Sequence, residues 1–118
     1  MKKPLPPTFQ DFVKKYPAVW QAHEKLTQAC ADMGPLDRKT RELIKLGISV
    51  AAHLQTAAER HAVMAIENGA TEEEIFQTVM MTMTTCGHPI TAAGYKWVSS
   101  ALGKAPKRRR GVLVKKSR

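Results

Sequence analysis

The chain has 118 residues and a formal net charge of +9, and its composition is 43% hydrophobic but only 6% aromatic. One domain is expected at this length, and two widely separated cysteines argue against a disulfide scaffold or a thiolate zinc site. No apolar run approaches the ~20 residues that a membrane-spanning helix needs, and MKKPLPPT lacks the apolar core of a secretory signal. We therefore expect a cytoplasmic protein without a membrane segment. We also expect no bound metal and no cofactor.

The positive charge is concentrated at the C-terminus. Residues 104–118 contain eight Lys or Arg and no acid, whereas residues 1–103 contain 11 basic and 10 acidic residues, a balance of +1. Because the body is nearly neutral, the high overall pI does not indicate a nucleic-acid-binding surface. We expect residues 104–118 to be either a disordered extension or an arm with weak, salt-sensitive affinity for polyanions or an acidic partner. Its apolar VLV segment is alternatively a contact for a neighbouring subunit.

The N-terminal third predicts two helices. Three prolines make residues 1–7 an irregular arm. A short helix over residues 8–15, capped by Thr8, is followed by a longer helix over residues 17–33. Gly34-Pro35 then closes the longer helix.

One face of the longer helix is apolar at helical spacing. Its members are Val19, His23, Leu26, Cys30 and Met33. Such a stripe normally faces a core, so we predict that Cys30 is a small core residue. His23 is then a buried, hydrogen-bonded histidine in preference to a metal ligand.

The next helix is capped by Asp37 and runs to about Leu54. It is apolar over most of its circumference, the pattern of a buried central helix. Its polar residues form a single line, which we call the polar seam: Arg38, Glu42, Lys45, Ser49 and His53. The seam is either a solvent-facing strip, with Glu42 paired to Arg38 or Lys45, or the wall of a small polar cavity. The solvent-facing strip is the simpler interpretation.

A fourth helix is predicted from Thr56 to Asn68, with Gly69 after its end. His61 projects from a face rich in alanine, where neighbouring helices approach closely. A single histidine in this setting is more often structural than functional, so the pattern alone leaves both roles open.

The C-terminal part predicts two more helices. Thr71 and Glu74 form a capping box that begins a helix ending before Gly87. Pro89 opens the last helix, which stops at Gly103. The fifth helix is expected to bury Ile75, Phe76, Val79, Met80 and Met83, and the last to bury Ile90, Ala93, Gly94, Trp97, Val98 and Ala101. The prediction is an all-α, single-domain bundle of about six helices over residues 8–103.

Three segments carry a family resemblance: RELIKLGISVAA, ERHAVMAIENGATEEEI and CGHPITAAGYKW. Over about residues 36–100 the chain resembles the carboxymuconolactone decarboxylase family, which includes the alkylhydroperoxidase D-like proteins. The stretch from His61 to Ile75 is the most specific part. The resemblance implies an all-helical fold that assembles as a homotrimer or homohexamer, with sites near the subunit contacts.

The redox branch of this family has a Glu, a Cys-x-x-Cys twelve positions later, and a His four positions after the second Cys. Glu42 and His61 match the first and last of these, but Leu54 and Ala57 occupy the cysteine positions. A dithiol peroxidase needs one thiolate to attack peroxide and a second to resolve the sulfenic acid. The resemblance therefore does not extend to that mechanism. Cys86 is the remaining redox candidate for a peroxidase, with a resolving thiol from glutathione, a partner or Cys30.

The decarboxylase branch also lacks these cysteines and keeps a His at position 61. That resemblance implies cofactor-free loss of carbon dioxide from a lactone acid, in which the protein stabilises an enolate and delivers a proton to carbon. His61 then donates that proton or binds the oxyanion, and Glu42 orients it or moves the proton. The candidate substrate-binding residues are Lys45, Ser49, His53, Arg60 and His88. Because Ala57-Ala58-Glu59-Arg60 replaces the acids that precede the histidine in that branch, the lactone itself is not carried over.

Three functions follow for comparison with the structure. The leading one is acid–base chemistry, by decarboxylation or a related step, on a small carboxylated or lactone-like molecule. The second is peroxidase activity through Cys86. The third is a catalytically silent oligomeric scaffold whose contacts are made by residues 104–118.

Overall fold

A computed structural model of the chain describes residues 6–103, all of whose regular structure is helical. The helices are α1 (Pro7–Lys15), α2 (Pro17–Asp32), α3 (Arg38–Ala51), α4 (Gln55–Glu67), α5 (Glu72–Met80), α6 (Met83–Cys86) and α7 (His88–Ala101). The all-α prediction is therefore confirmed. The expectations for residues 104–118, and for most of the predicted arm at residues 1–7, lie outside the described residues.

The core is formed by α3, α4, α5 and α7. Its fully buried members are Leu46, Val50, Ala58, Ala62, Ala65, Ile75, Val79 and Val98. Alanines on α4 allow that helix to pack closely on α3, its main neighbour. Gly94 serves the same purpose on α7, because a Cβ atom at this position would lie 2.5 Å from Val50 Cγ1. No helix within residues 6–103 has the length and apolar character to cross a bilayer.

The predicted fifth helix is interrupted. Its capping box is present, with the Thr71 N–H donating to Glu74 Oε1 at 2.9 Å and the Glu74 N–H donating to Thr71 Oγ1 at 3.0 Å. The helix ends at Met80, however, and α6 follows as a separate turn. The Thr82 hydroxyl donates to the Val79 carbonyl at 2.7 Å and pairs with the Thr91 hydroxyl at 2.7 Å, which offers the chain an alternative to regular helix.

Two methionines of this segment lie at the surface. Met80 and Met83 were expected in the core, but both are exposed. Ile75 and Val79 occupy the core side of α5, as the pattern predicts, and Phe76 is half-buried. Met83 follows the break, so its expected position in one continuous helix does not apply. Met80 lies within α5 itself, where Ile75 and Val79 already form the buried side.

Helix α3 ends three residues earlier than predicted. The Leu54 N–H donates to the Ser49 carbonyl at 2.8 Å and the His53 N–H donates to the Val50 carbonyl at 3.0 Å, which is a Schellman termination. His53 therefore has a positive φ of 61°, a conformation that usually favours glycine. Its ring packs edge-on against Trp97, with centroids 4.9 Å apart.

Helices α1 and α2 form a hairpin beside this body. Phe9 packs edge-on against Trp20 with ring centroids 4.8 Å apart, and α1 is the main neighbour of α2. Within residues 7–32, all of which the structure describes, neither helix has a buried residue. The predictions that Cys30 is a core residue and that His23 is buried are wrong, because every member of the apolar stripe of α2 is exposed.

Candidate functional site

Glu42 on α3 and His61 on α4 are in direct contact. His61 Nδ1 lies 2.7 Å from Glu42 Oε1, and the Arg38 Nε–H donates to Glu42 Oε2 at 3.0 Å. Both carboxylate oxygens are thus engaged by nitrogen donors. Glu42 is only 4% exposed, whereas the His61 side chain retains 20% of its exposure. A buried carboxylate therefore supports an imidazole that solvent can still reach.

Local sequence explains this geometry. Arg38 and Glu42 are four residues apart, so they are neighbours on one face of α3. The corner after α3 returns the chain antiparallel to it as α4. Because Ala58 and Ala62 flank His61 with small, fully buried side chains, α4 lies close enough for the imidazole to reach Glu42.

The electrostatics keep Glu42 ionised. Burial raises the pKa of Glu42, but the hydrogen bonds and positive charges of His61 and Arg38 outweigh that effect, so the pKa lies below its ordinary value of 4.5. A carboxylate can only accept hydrogen bonds, so the bonded Nδ1 of His61 carries a proton. Within residues 6–103, Nε2 of His61 has no hydrogen-bond partner. This nitrogen is therefore available to exchange a proton with a bound molecule.

The other residues of the polar seam differ in their burial and in their contacts. The prediction of a solvent-facing strip is wrong for Glu42 and Ser49, which are both buried. The Ser49 hydroxyl donates to the Lys45 carbonyl at 2.7 Å within α3, and the His53 ring is engaged by Trp97. Lys45 itself is half-buried. No hydrogen bond or ring contact joins Lys45, Ser49 or His53 to His61, and their roles in substrate binding stay predictions.

Two further candidates lie on other helices. Arg60 precedes His61 on α4 and is half-buried, and His88 is an exposed residue at the start of α7. Substrate binding by either stays a prediction. Among the described residues, no three His, Cys, Asp or Glu side chains cluster as a metal site would require.

A groove lies on the opposite face of α3, between that helix and α5–α6. It encloses about 410 Å³ and is lined by Thr40, Leu43, Ile44, Gly47, Ile48, Ala51, Thr78, Met81, Thr82, Thr85 and Cys86. This lining includes neither Glu42 nor His61, and helix α3 separates Cys86 from them. No charged side chain is among these lining residues, so the groove holds no base or cation to activate the Cys86 thiol.

The sequence pattern did not predict this groove. Ile44 and Ile48 were assigned to the interior of a central helix, but both are exposed, Ile48 to 59%. The only sequence signal was the width of the apolar surface of α3, which exceeds what one core-facing stripe needs.

Comparisons with known proteins agree on one family. The sequence profile of the carboxymuconolactone decarboxylase family matches residues 16–100, a range that contains both Glu42 and His61. The crystal structure of an apo carboxymuconolactone decarboxylase family protein from Legionella pneumophila superposes with a TM-score of 0.73. That protein is 26% identical, and the match covers 82% of this chain and 87% of its own.

A curated relative matches a shorter part of the chain. This uncharacterized protein of Haemophilus influenzae (strain Rd) is 38% identical over 55 residues. The match covers 47% of this chain and 49% of the relative. The chain thus spans about half the length of that protein.

Proposed function

This chain belongs to the carboxymuconolactone decarboxylase family, and we propose that it uses Glu42 and His61 for cofactor-free acid–base chemistry on a small carboxylated or lactone-like molecule. The observation that carries the proposal is the 2.7 Å contact between Glu42 Oε1 and His61 Nδ1. It joins a buried carboxylate to an imidazole whose second nitrogen is unpartnered within residues 6–103. Such a pair is the arrangement in which a carboxylate orients a histidine for proton transfer.

The proposed reaction has two steps, cleavage of a carbon–carbon bond and then transfer of a proton. The bond between the substrate carboxylate and its neighbouring carbon breaks, releasing carbon dioxide and leaving the electron pair in a conjugated enolate. Nε2 of a protonated His61 then delivers its proton to that carbon, and solvent returns a proton to the ring. Glu42 stabilises the imidazolium through Nδ1–H and fixes the direction in which Nε2 points.

Arg38 has a supporting role in this scheme. Its hydrogen bond to Glu42 Oε2 holds the carboxylate in one rotamer and favours its ionised form. The remaining N–H groups of this half-exposed guanidinium are suited to a substrate carboxylate. Lys45 and Arg60 are the other cations proposed for that task.

Among the alternative functions, the peroxidase requires an activated thiolate at Cys86. The uncharged groove around Cys86 and its separation from His61 by α3 give that alternative no structural support. A silent scaffold would have no need for a buried Glu42. A group that is costly to desolvate is more readily explained by a chemical role.

The test is carbon dioxide release from a panel of 4-carboxymuconolactone and simple 3-oxo acids, together with deuterium exchange from solvent into the same compounds. We expect His61→Ala to lower turnover by about 10²–10⁴-fold, the usual contribution of a positioned general acid. Glu42→Gln keeps a hydrogen-bond acceptor but loses the charge, so we expect a smaller loss. His23→Ala is the matched control, because this histidine is exposed on α2.

Two results would refute the assignment. One is a His61→Ala variant that retains full activity. The other is a parent protein that neither releases carbon dioxide nor exchanges deuterium with any member of the panel. Cys86→Ala separates the alternatives, since only a peroxidase through that thiol would lose peroxide consumption.

A further inference from the structure

Arg38 uses only one nitrogen of its guanidinium to bind Glu42. Its Nε–H donates to Glu42 Oε2 at 3.0 Å, and within residues 6–103 its Nη1 and Nη2 groups have no hydrogen-bond partner. The side chain is 53% exposed. Because the N–H groups of Nη1 and Nη2 form a fork that matches the two oxygens of a carboxylate, Arg38 can hold a second carboxylate while Nε stays on Glu42.

Glu42 also fixes Arg38 relative to His61. Arg38 Nε and His61 Nδ1 bind opposite oxygens of this one carboxylate, a separation that a small organic acid can span. Lys45 and Arg60 have no ion pair or side-chain hydrogen bond within residues 6–103. Ordering such a long side chain on a ligand costs conformational entropy. The prearranged Arg38 is therefore the favoured anchor for a carboxylate.

Positive charge predominates next to His61 when no anion is bound. Arg38 and Lys45 lie with Glu42 on the polar seam of α3, and Arg60 adjoins His61 on α4. Three cations are thus grouped with one carboxylate. Their repulsion opposes the addition of a proton to the imidazole, and a bound anion would reduce that repulsion.

Charged groups elsewhere on α3, α4, α5 and α7 are bound to other partners or exposed to solvent. Those that are bound are Lys39 with Glu74, Arg41 with the Leu36 carbonyl and Glu59 with Gln55. Those that are exposed are His53, Glu67, Glu72, Glu73, His88 and Lys96. The charge balance at His61 is therefore determined mainly by Glu42 and the three neighbouring cations.

We propose that a substrate carboxylate binds end-on to Nη1 and Nη2 of Arg38, and that its negative charge brings a proton from solvent onto Nε2 of His61. The anion offsets one of the three cations, so binding favours the imidazolium form. The site then gains its proton donor when a carboxylate arrives. This role of Arg38 rests on the proposed function of Glu42 and His61, and it adds the residue that selects carboxylates and the event that charges the donor.

Benzoate tests this linkage, because it offers a carboxylate but does not lose carbon dioxide under mild conditions. Nitrogen-15 NMR of the four histidine side chains measures the protonation of each ring. At about pH 7.5, where an ordinary histidine is mostly neutral, benzoate should shift His61 Nε2 toward the imidazolium position. The exposed His23 should not move, and uncharged benzamide should shift neither ring. Calorimetry in buffers of different ionisation heat should show uptake of up to about one proton per bound benzoate.

Substitutions identify the anchor. Arg38→Gln should weaken benzoate binding by about 10–100-fold, the usual effect of losing a paired, charged hydrogen bond, and should abolish the shift of His61. Arg38→Lys keeps the charge but loses the fork, so we expect an intermediate loss. Lys45→Gln and Arg60→Gln should each weaken binding less than Arg38→Gln. Lys25→Gln removes the same charge from the exposed surface of α2 and should bind benzoate as the parent does.

Three results would overturn the proposal. They are a parent protein that binds benzoate no better than benzamide, a parent that binds benzoate without protonating His61, and a greater loss of affinity in Lys45→Gln or Arg60→Gln than in Arg38→Gln. Failure of the proposed function gives a different result. A protein that protonates His61 on binding benzoate but releases no carbon dioxide from any tested acid would support the linkage and refute only the decarboxylation.

Discussion

Helix α3 reverses the arrangement of an ordinary amphipathic helix, which buries its apolar face and exposes its polar face. One face buries Glu42 and Ser49, whereas the other exposes Ile44 and Ile48. Burying a carboxylate costs free energy unless its partners compensate, and here His61 and Arg38 supply both partners. Exposing two isoleucines beside a groove is unfavourable unless another surface covers them. The face with Glu42 is therefore suited to chemistry, whereas the opposite face leaves apolar surface exposed.

The largest expected loss of stability comes from removing the Glu42 carboxylate from the buried face of α3. Glu42→Ala leaves Arg38 and His61 without their acceptor, and we expect the free energy of unfolding to fall by about 1–3 kcal/mol. Urea denaturation should give this loss at every protein concentration. Ile48→Glu, on the opposite face, changes a side chain that is already 59% exposed, so we expect a loss within about 0.5 kcal/mol. Equal losses for both variants would show that the two faces do not differ in this way.

Substitutions at two glycines compare the packing in the core with the packing at the groove. Gly94→Ala places a Cβ against Val50 on the core side, where overpacking typically costs about 1–3 kcal/mol. Thermal unfolding should show this loss, and Val50→Ala in the same background should recover part of it. Gly47→Ala faces the groove, where the new Cβ would lie 3.5 Å from Thr78 Cγ2, an ordinary contact. That control should be neutral or should stabilise α3 by up to about 1 kcal/mol.

The pH dependence of stability isolates the charge of Glu42. Its folded pKa lies below the ordinary 4.5, so its stabilising contribution is complete above that value and is lost as the pH falls through the folded pKa. The difference in stability between the parent and Glu42→Gln should therefore shrink as the solution is acidified. Asp37 and Glu74 also have lowered pKa values, owing chiefly to backbone hydrogen bonds at helix starts. Both groups are present in the two proteins, so their contributions cancel in the comparison. A difference in stability that stays constant at all pH values would contradict the role of the Glu42 charge.

The elements that sequence predicts well are those that local chemistry determines. The capping box at Thr71 and the helix start at Pro89 depend on neighbouring residues alone, and both are present. The pairing of Glu42 with His61 came from the spacing of the family motif. No pattern within α3 could decide which of its faces is buried, because α4, α5 and α7 determine that. The burial of Cys30 was mispredicted for the same reason, since the spacing of a stripe does not show whether another element covers it.

The smallest expected effect concerns the end of the polar seam, at His53. Its left-handed conformation costs roughly 1 kcal/mol relative to glycine, while its edge-on contact with Trp97 contributes about 0.5–1.5 kcal/mol. His53→Gly removes both terms, so we expect thermal unfolding to detect a net change within about 0.5 kcal/mol. His53→Ala keeps the strain but loses the contact, so it should be clearly less stable than His53→Gly. The two variants differ only in backbone strain, so equal unfolding of both would show that the left-handed conformation at residue 53 costs a side chain nothing measurable.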